Sequence, residues 1–338
     1  MTQINSVACQ PEQVTIVQKK DLTKLGNRIC LLLILVTVFA NVIQFFMIIP
    51  MSARAALQHK AFDLTQNPLL QQLVMYIPTL ISLLIILVIS RKMLHQKISD
   101  NYHKPKTSIS FILMGCLVAV GASMTGVLFS NAITSLLSHF NIQSGMANIA
   151  TPDNLQAKIV NIAYLCVIAP FLEETLFRGV ILKSLRSYGN VFAIIASSIL
   201  FGIFHFNLIQ LVPATLMGLV FAFIAVKSES IIPSILAHAF NNTVTVILAL
   251  VMKDTPQMKI VYGSIVLLMI AVTIIILILN RKEFHRLNEG RSITEMTGKQ
   301  KTVKLFFRSA GFYVLIALFI LNCVILSLST SGLITKAQ

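Results

Sequence analysis

Nine stretches of almost continuous apolar sequence recur along this 338-residue chain, at 29–49, 69–90, 109–130, 158–176, 190–206, 211–226, 231–252, 260–280 and 309–330. A helix that crosses the hydrocarbon core of a bilayer needs about 20 mostly apolar residues, and most of the nine reach or approach that length. Backbone in lipid must satisfy its own hydrogen bonds, so each run predicts a helix. The alternating polar and apolar pattern of a membrane barrel is absent. The expectation is therefore an all-α, polytopic transmembrane helix bundle with about eight core spans plus one extra C-terminal span. The runs at 190–206 and 211–226 are short, so they are expected to start deep or be broken. Composition agrees: with 56% hydrophobic and 12% charged residues, the chain lacks the polar cover of a soluble protein. It is also too rich in Leu, Ile, Val and Phe to be disordered.

The few charges are lopsided, with 27 Lys and Arg against 12 Asp and Glu. Placing the N-terminus in the cytosol puts 21 of the 27 basic residues on the cytosolic side, the distribution expected of a multi-pass cell-membrane protein. Nucleic acid is not an expected partner, because no aromatic or Gly-rich reader sits among the basic residues. The apolar run after Lys19, Lys20, Lys24 and Arg28 exceeds the 7–15 residues of a signal-peptide core, so 29–49 reads as a retained span. The organisation expected is a cytosolic segment 1–28, a bundle 29–280 with its catalytic core at about 158–252, a basic cytosolic loop 281–308 and the additional span 309–330. Membrane lipids are expected partners, and 281–338 is a candidate docking segment for another membrane protein. The five cysteines show no metal-ligand spacing, and four lie in apolar runs as small hydrophobes. In the third span Gly115, Ala119, Ala122 and Gly126 offer a small-residue face for close helix packing.

Ionisable groups inside the membrane are costly, and therefore informative. Away from span edges only Glu173 and Glu174 are acidic, and of seven histidines only His205 and His238 fall in apolar runs. Two adjacent carboxylates and two imidazoles on three spans are the ingredients of a hydrolytic or metal site. Glu174 and Arg178 are four residues apart and can pair on one helix face. Glu173 lies about 100° around the helix and can face a different partner. Phe201 is one turn before His205 and can flank its ring. Asn242 is one turn after His238, where its amide can stabilise an oxyanion. Taken singly, each motif also reads as an interfacial charge cluster or as polar glue between helices. The depths disagree: a fourth span ending at 176 puts Glu173 about 6 Å from its cytosolic end, whereas His205 lies about 22 Å into its span. A fifth span starting below the surface would reconcile them.

The ordered trio E-E-x-x-x-R (Glu173, Glu174, Arg178), F-x-x-x-H (Phe201, His205) and H-x-x-x-N (His238, Asn242) resembles the CPBP family of intramembrane proteases. That group includes the CAAX prenyl endopeptidases and bacteriocin-processing or immunity proteins; Phe177-Arg178-Gly179 adds to the likeness, which covers roughly 110–255. The resemblance implies that Glu173 activates water for attack on a peptide carbonyl. It implies that His205 and His238 position that water or bind a metal, that Asn242 stabilises the oxyanion, and that Glu174 with Arg178 holds the site together. Zinc or another divalent ion on Glu173, His205 and His238 and a metal-free reaction both stay open, since two His and a carboxylate suit either. The implied substrate is a membrane-associated or lipidated peptide. The alternatives are a non-catalytic immunity or scaffold protein on the same fold, and, last, a transporter with a carboxylate relay.

Overall fold

The computed structural model describes residues 11–140, 142, 154–252, 255–282 and 304–330. Cys9, Lys253, Lys336 and most of the basic 281–308 loop lie outside the described residues. Every regular element among the described residues is helical, and eight helices are long and apolar enough to cross a membrane. The protein is a polytopic all-α bundle. Its helices are α1 (Pro11–Leu57), α2 (Pro68–Met93), α3 (Ile109–Ser138), α4 (Leu155–Tyr188), α5 (Asn190–Phe204), α6 (Leu208–Ser228), α7 (Ile232–Val251), α8 (Pro256–Leu279) and α9 (Ala310–Thr330).

The helix starts follow from local chemistry. Asn67, Ser108, Asn154, Asn207 and Thr255 each accept a backbone N–H of the first turn they precede, relieving donors that a helix start leaves unpaired. Gly189, at φ 115°, supplies a backbone that other residues avoid and turns the chain sharply between α4 and α5.

One expectation about span lengths is corrected, and the shortness expected of the 190–206 run is seen in the structure. The fourth helix does not end at 176. It runs on to Tyr188, with 34 residues in all. Arg178, beyond the expected end, is 2% exposed inside the bundle. The helix α5 has only 15 residues, or about 22 Å, which is short of a bilayer crossing.

The longer α4 bears on the depth conflict. From Glu173 to Tyr188, and from Asn190 to His205, the chain travels the same 15 residues on either side of Gly189. The turn brings the two motifs near one another, and Phe201 lies beside both His205 and His238.

Close packing of α3 uses small residues, as the sequence indicated. A Cβ on Gly126 would fall 2.3 Å from the Pro213 Cα of α6, so only glycine permits this approach. The remaining core is Leu, Ile, Val and Phe, shared by α1, α2, α4, α5 and α6. The helix α9 lies against α1, where the Gly311 N–H donates to Asn27 Oδ1 at 2.8 Å.

Candidate active site

The helix α4 is not uniformly α-helical. Two π-helical stretches, Tyr164–Ile168 and Thr175–Leu182, flank the short α segment Ala169–Glu174 that carries both glutamates. Such widened turns disturb the regular ladder and recur at functional sites. Each stretch has one carbonyl capped from elsewhere by an asparagine. Asn242 Nδ2 donates to Leu165 O at 2.8 Å, and Asn101 Nδ2 donates to Gly179 O at 3.0 Å. Asn101 sits in the turn between α2 and α3, and its own carbonyl accepts the Ile231 N–H. Asn101 therefore ties α4 to the start of α7.

The centre of the site is the His238 ring. Its Nδ1 is 3.0 Å from Glu174 Oε1, and its Nε2 is 4.0 Å from Glu173 Oε2. The two adjacent carboxylates thus face the two nitrogens of one imidazole. Glu173 faces away from Arg178, which pairs with Glu174, and towards the far nitrogen of the ring that Glu174 also meets. The imidazole is broad enough to meet both side chains, although they diverge by 100° on the helix.

Glu174 also accepts from Arg178 Nη1 at 3.0 Å, and Arg178 Nη2 donates to Gly218 O at 2.9 Å. Both side chains of this pair are completely buried. The guanidinium carbon lies 4.6 Å from the Phe201 ring centre and 5.4 Å from that of Phe221, which is cation–π range. A Cβ on Gly218 would come 3.1 Å from Ser198, so the glycine keeps α5 and α6 close enough to enclose the arginine. Glu174 Oε2 and Arg178 Nε have no hydrogen-bond partner among the described residues.

Aromatic walls complete the setting. Phe221 stacks on His238 at 4.8 Å, and Phe201 stands edge-on to both His205, at 5.0 Å, and His238, at 5.8 Å. Phe201 is thus shared by the two histidines, as its spacing from His205 suggested. His205 caps α5, and its Nδ1 is 2.8 Å from Phe201 O. A carbonyl only accepts, so Nδ1 carries a proton, and Nε2 is the ring nitrogen that this bond leaves uncommitted. The same logic applies to His238: Nδ1–H donates to the Glu174 carboxylate, and Nε2 faces Glu173.

These residues differ in access. Glu174, Arg178 and His238 are buried, whereas the Glu173 side chain keeps 14% exposure and His205 and Asn242 are partly buried. One amide N–H of Asn242 is committed to Leu165 O, and its Oδ1 accepts from Asn241, which leaves the second N–H. A water 2.8 Å from both Glu173 Oε2 and His238 Nε2, which stand 4.0 Å apart, would see them at about 90°, suitable for two hydrogen bonds. A metal at about 2.1 Å from both would see them at about 145°, far from tetrahedral. Among the described residues no three His, Cys, Asp or Glu side chains form a metal-ligating group, Glu173, His205 and His238 included. The arrangement as it stands fits a water better than a tetrahedral metal.

A separate polar seam escaped the sequence reading, which considered only ionisable groups. Tyr76 of α2 hydrogen-bonds Asn161 and stacks on Tyr164 of α4. The signal was present as Gln72, Tyr76 and Thr79 on one face of an otherwise apolar run. An apolar crevice of about 400 Å³ between α3, α6 and α8, lined by residues such as Gly115, Ala122, Leu219 and Phe223, contains none of the motif residues.

Residues 155–244 match the family model described as Type II CAAX prenyl endopeptidase Rce1-like. A protein named "Putative membrane peptidase YdiL" from Bacillus subtilis (strain 168) is 32% identical over 150 residues, which cover 41% of this chain and 62% of the relative. The chain thus matches somewhat under two thirds of that relative's length. No solved structure matches the chain significantly.

Proposed function

We propose that this chain, whose residues 155–244 are similar to the Type II CAAX prenyl endopeptidase Rce1-like model, is an intramembrane endopeptidase of the CPBP type that hydrolyses a peptide bond with a glutamate-activated water. The observation that carries the proposal is the His238 imidazole between two carboxylates, of which only Glu173 is accessible. Glu174, held by Arg178, fixes the tautomer and orientation of His238. Water rests between Glu173 Oε2 and His238 Nε2. As the water oxygen attacks the peptide carbonyl carbon, Glu173 takes the proton; it then gives that proton to the leaving amide nitrogen. His205 Nε2 helps to orient the water. The free N–H of Asn242 is the donor for the carbonyl oxygen as it becomes an oxyanion. The apolar walls exclude bulk water and strengthen these interactions.

The substrate class we propose is a membrane-associated or lipidated peptide, cut in the cell membrane by a multi-pass protein whose N-terminus is cytosolic. Membrane lipids, and a membrane protein docking on 281–338, remain part of this reading. A divalent metal is not required by the step described; turnover that persists after exhaustive chelation supports the water route, and loss restored by zinc overturns it.

The main test uses the full-length protein reconstituted in vesicles, with cleavage of candidate membrane peptides read by mass spectrometry. Glu173→Gln keeps shape and loses the base, so the rate should fall about 10²–10⁴-fold. A Glu173→Gln protein as fast as wild type would refute the assignment. A biological effect that survives Glu173→Gln but not removal of 281–338 would favour the non-catalytic immunity or scaffold reading.

A further inference from the structure

The helix α9 lies beyond the 155–244 segment, yet it reaches the turn that carries His205. Phe206 follows His205 directly and adopts φ 47°, a left-handed conformation that bulky residues avoid. Strained backbone of this kind persists where the surroundings over-determine it. From within the turn, the Phe206 N–H donates to Ile203 O, and Asn207 caps the start of α6. From outside, Asn322 Nδ2 of α9 donates to Phe206 O at 2.6 Å. The Phe319 ring, one turn earlier on α9, lies 6.5 Å from the Phe206 ring. The helix α9 is held in turn by Asn27 of α1 through the Gly311 N–H.

We infer that Asn322 is a positioning residue for His205: it holds the Phe206 carbonyl, locks the 205–207 turn, and so fixes where the His205 Nε2 points. The functional part of this inference rests on the endopeptidase reading, and its structural part does not. The carbonyl of a turn inside an apolar bundle has no bulk water to turn to, so loss of its donor frees the peptide to rotate. That peptide joins Phe206 to Asn207, and His205 is the residue just before Phe206. The His205 ring would then lose register with Phe201, although the α5 helix itself survives.

Asn322→Leu removes the donor while keeping the same branching and number of heavy atoms, and Asn322→Gln retains an amide on a longer stem. In full-length protein with ¹³C-labelled histidine, the His205 ring signal is identified by its loss in His205→Ala. Asn322→Leu should shift or broaden that signal and leave the His238 signal in place. The same variant should lower kcat about tenfold or more with KM within about twofold, as expected of a misplaced catalytic group. In a His205→Ala background it should cost nothing further, and Asn322→Gln should restore most of both readouts. An unmoved His205 signal in Asn322→Leu overturns the inference, as does an equal loss of kcat in the His205→Ala background or equal damage by Leu and Gln. If the wild-type protein cleaves no peptide, the endopeptidase reading fails, and the histidine signals still decide the role of Asn322.

Discussion

Removing Arg178 should destabilise the bundle chiefly through what it leaves behind. In Arg178→Met the Glu174 carboxylate stays fully buried, keeps only its bond to His238, and loses its counter-charge. Leaving one partner of a buried ion pair uncompensated costs about 3–5 kcal/mol. The orphaned Gly218 carbonyl and the lost ring contacts push in the same direction. Arg178→Met with Glu174→Gln removes both charges at similar volume, and such replacements of buried pairs are often nearly neutral. The assay is reversible unfolding in mixed micelles, comparing both single variants with the double variant. Arg178→Met should lose about 3–5 kcal/mol, and the double variant should recover more than half of it. The reasoning is refuted if the double variant is as unstable as Arg178→Met, for then packing, and not the stranded charge, sets the cost. A loss below about 1 kcal/mol in Arg178→Met would refute it as well.

Three further outcomes are expected. Gly126→Ala forces a methyl against Pro213 and should cost about 1–3 kcal/mol in the same unfolding assay, whereas Gly263→Ala, with nothing within 4 Å, should be neutral or mildly stabilising. Asn101→Ala leaves the Gly179 carbonyl without its donor and should cost about 1–3 kcal/mol, with faster amide exchange at the α4 widened turn as the local readout. The Lys106 ammonium, 2.6 Å from Glu229, holds that exposed carboxyl below the usual range. A depressed folded-state value stabilises above the unfolded pKa and is lost on acidification, so wild type and Lys106→Gln should differ by at most about 1 kcal/mol at neutral pH and converge between about pH 4 and 3.

The helices and the identity of the motif residues were legible in the chain because lipid leaves so few alternatives. An apolar run of sufficient length must satisfy its backbone internally, so helix follows from composition alone. A carboxylate or imidazole within such a run stands out for the same reason, which is why Glu173, Glu174, His205 and His238 could be singled out without a fold. Arg178 with Glu174, and Phe201 with His205, were also readable, since four-residue spacing makes helix neighbours.

Contacts between helices were not legible, because spacing within one helix says nothing about what another brings to it. That both glutamates meet His238 depends on where α7 lies against α4. That Phe201 stands beside both His205 and His238 depends on α4 continuing past 176 to Tyr188 before the chain turns back, a length its apolar run did not show. Asn101, Asn242 and Asn322 cap carbonyls 78, 77 and 116 residues away in the chain, and an uncharged asparagine gives no sign of this in sequence. The sequence by itself determined an all-helical membrane bundle with four ionisable groups within its apolar runs, because lipid penalises every other arrangement. Only the tertiary structure decided which nitrogen faces which carboxylate and which turns are held, because those choices lie in packing between segments distant along the chain.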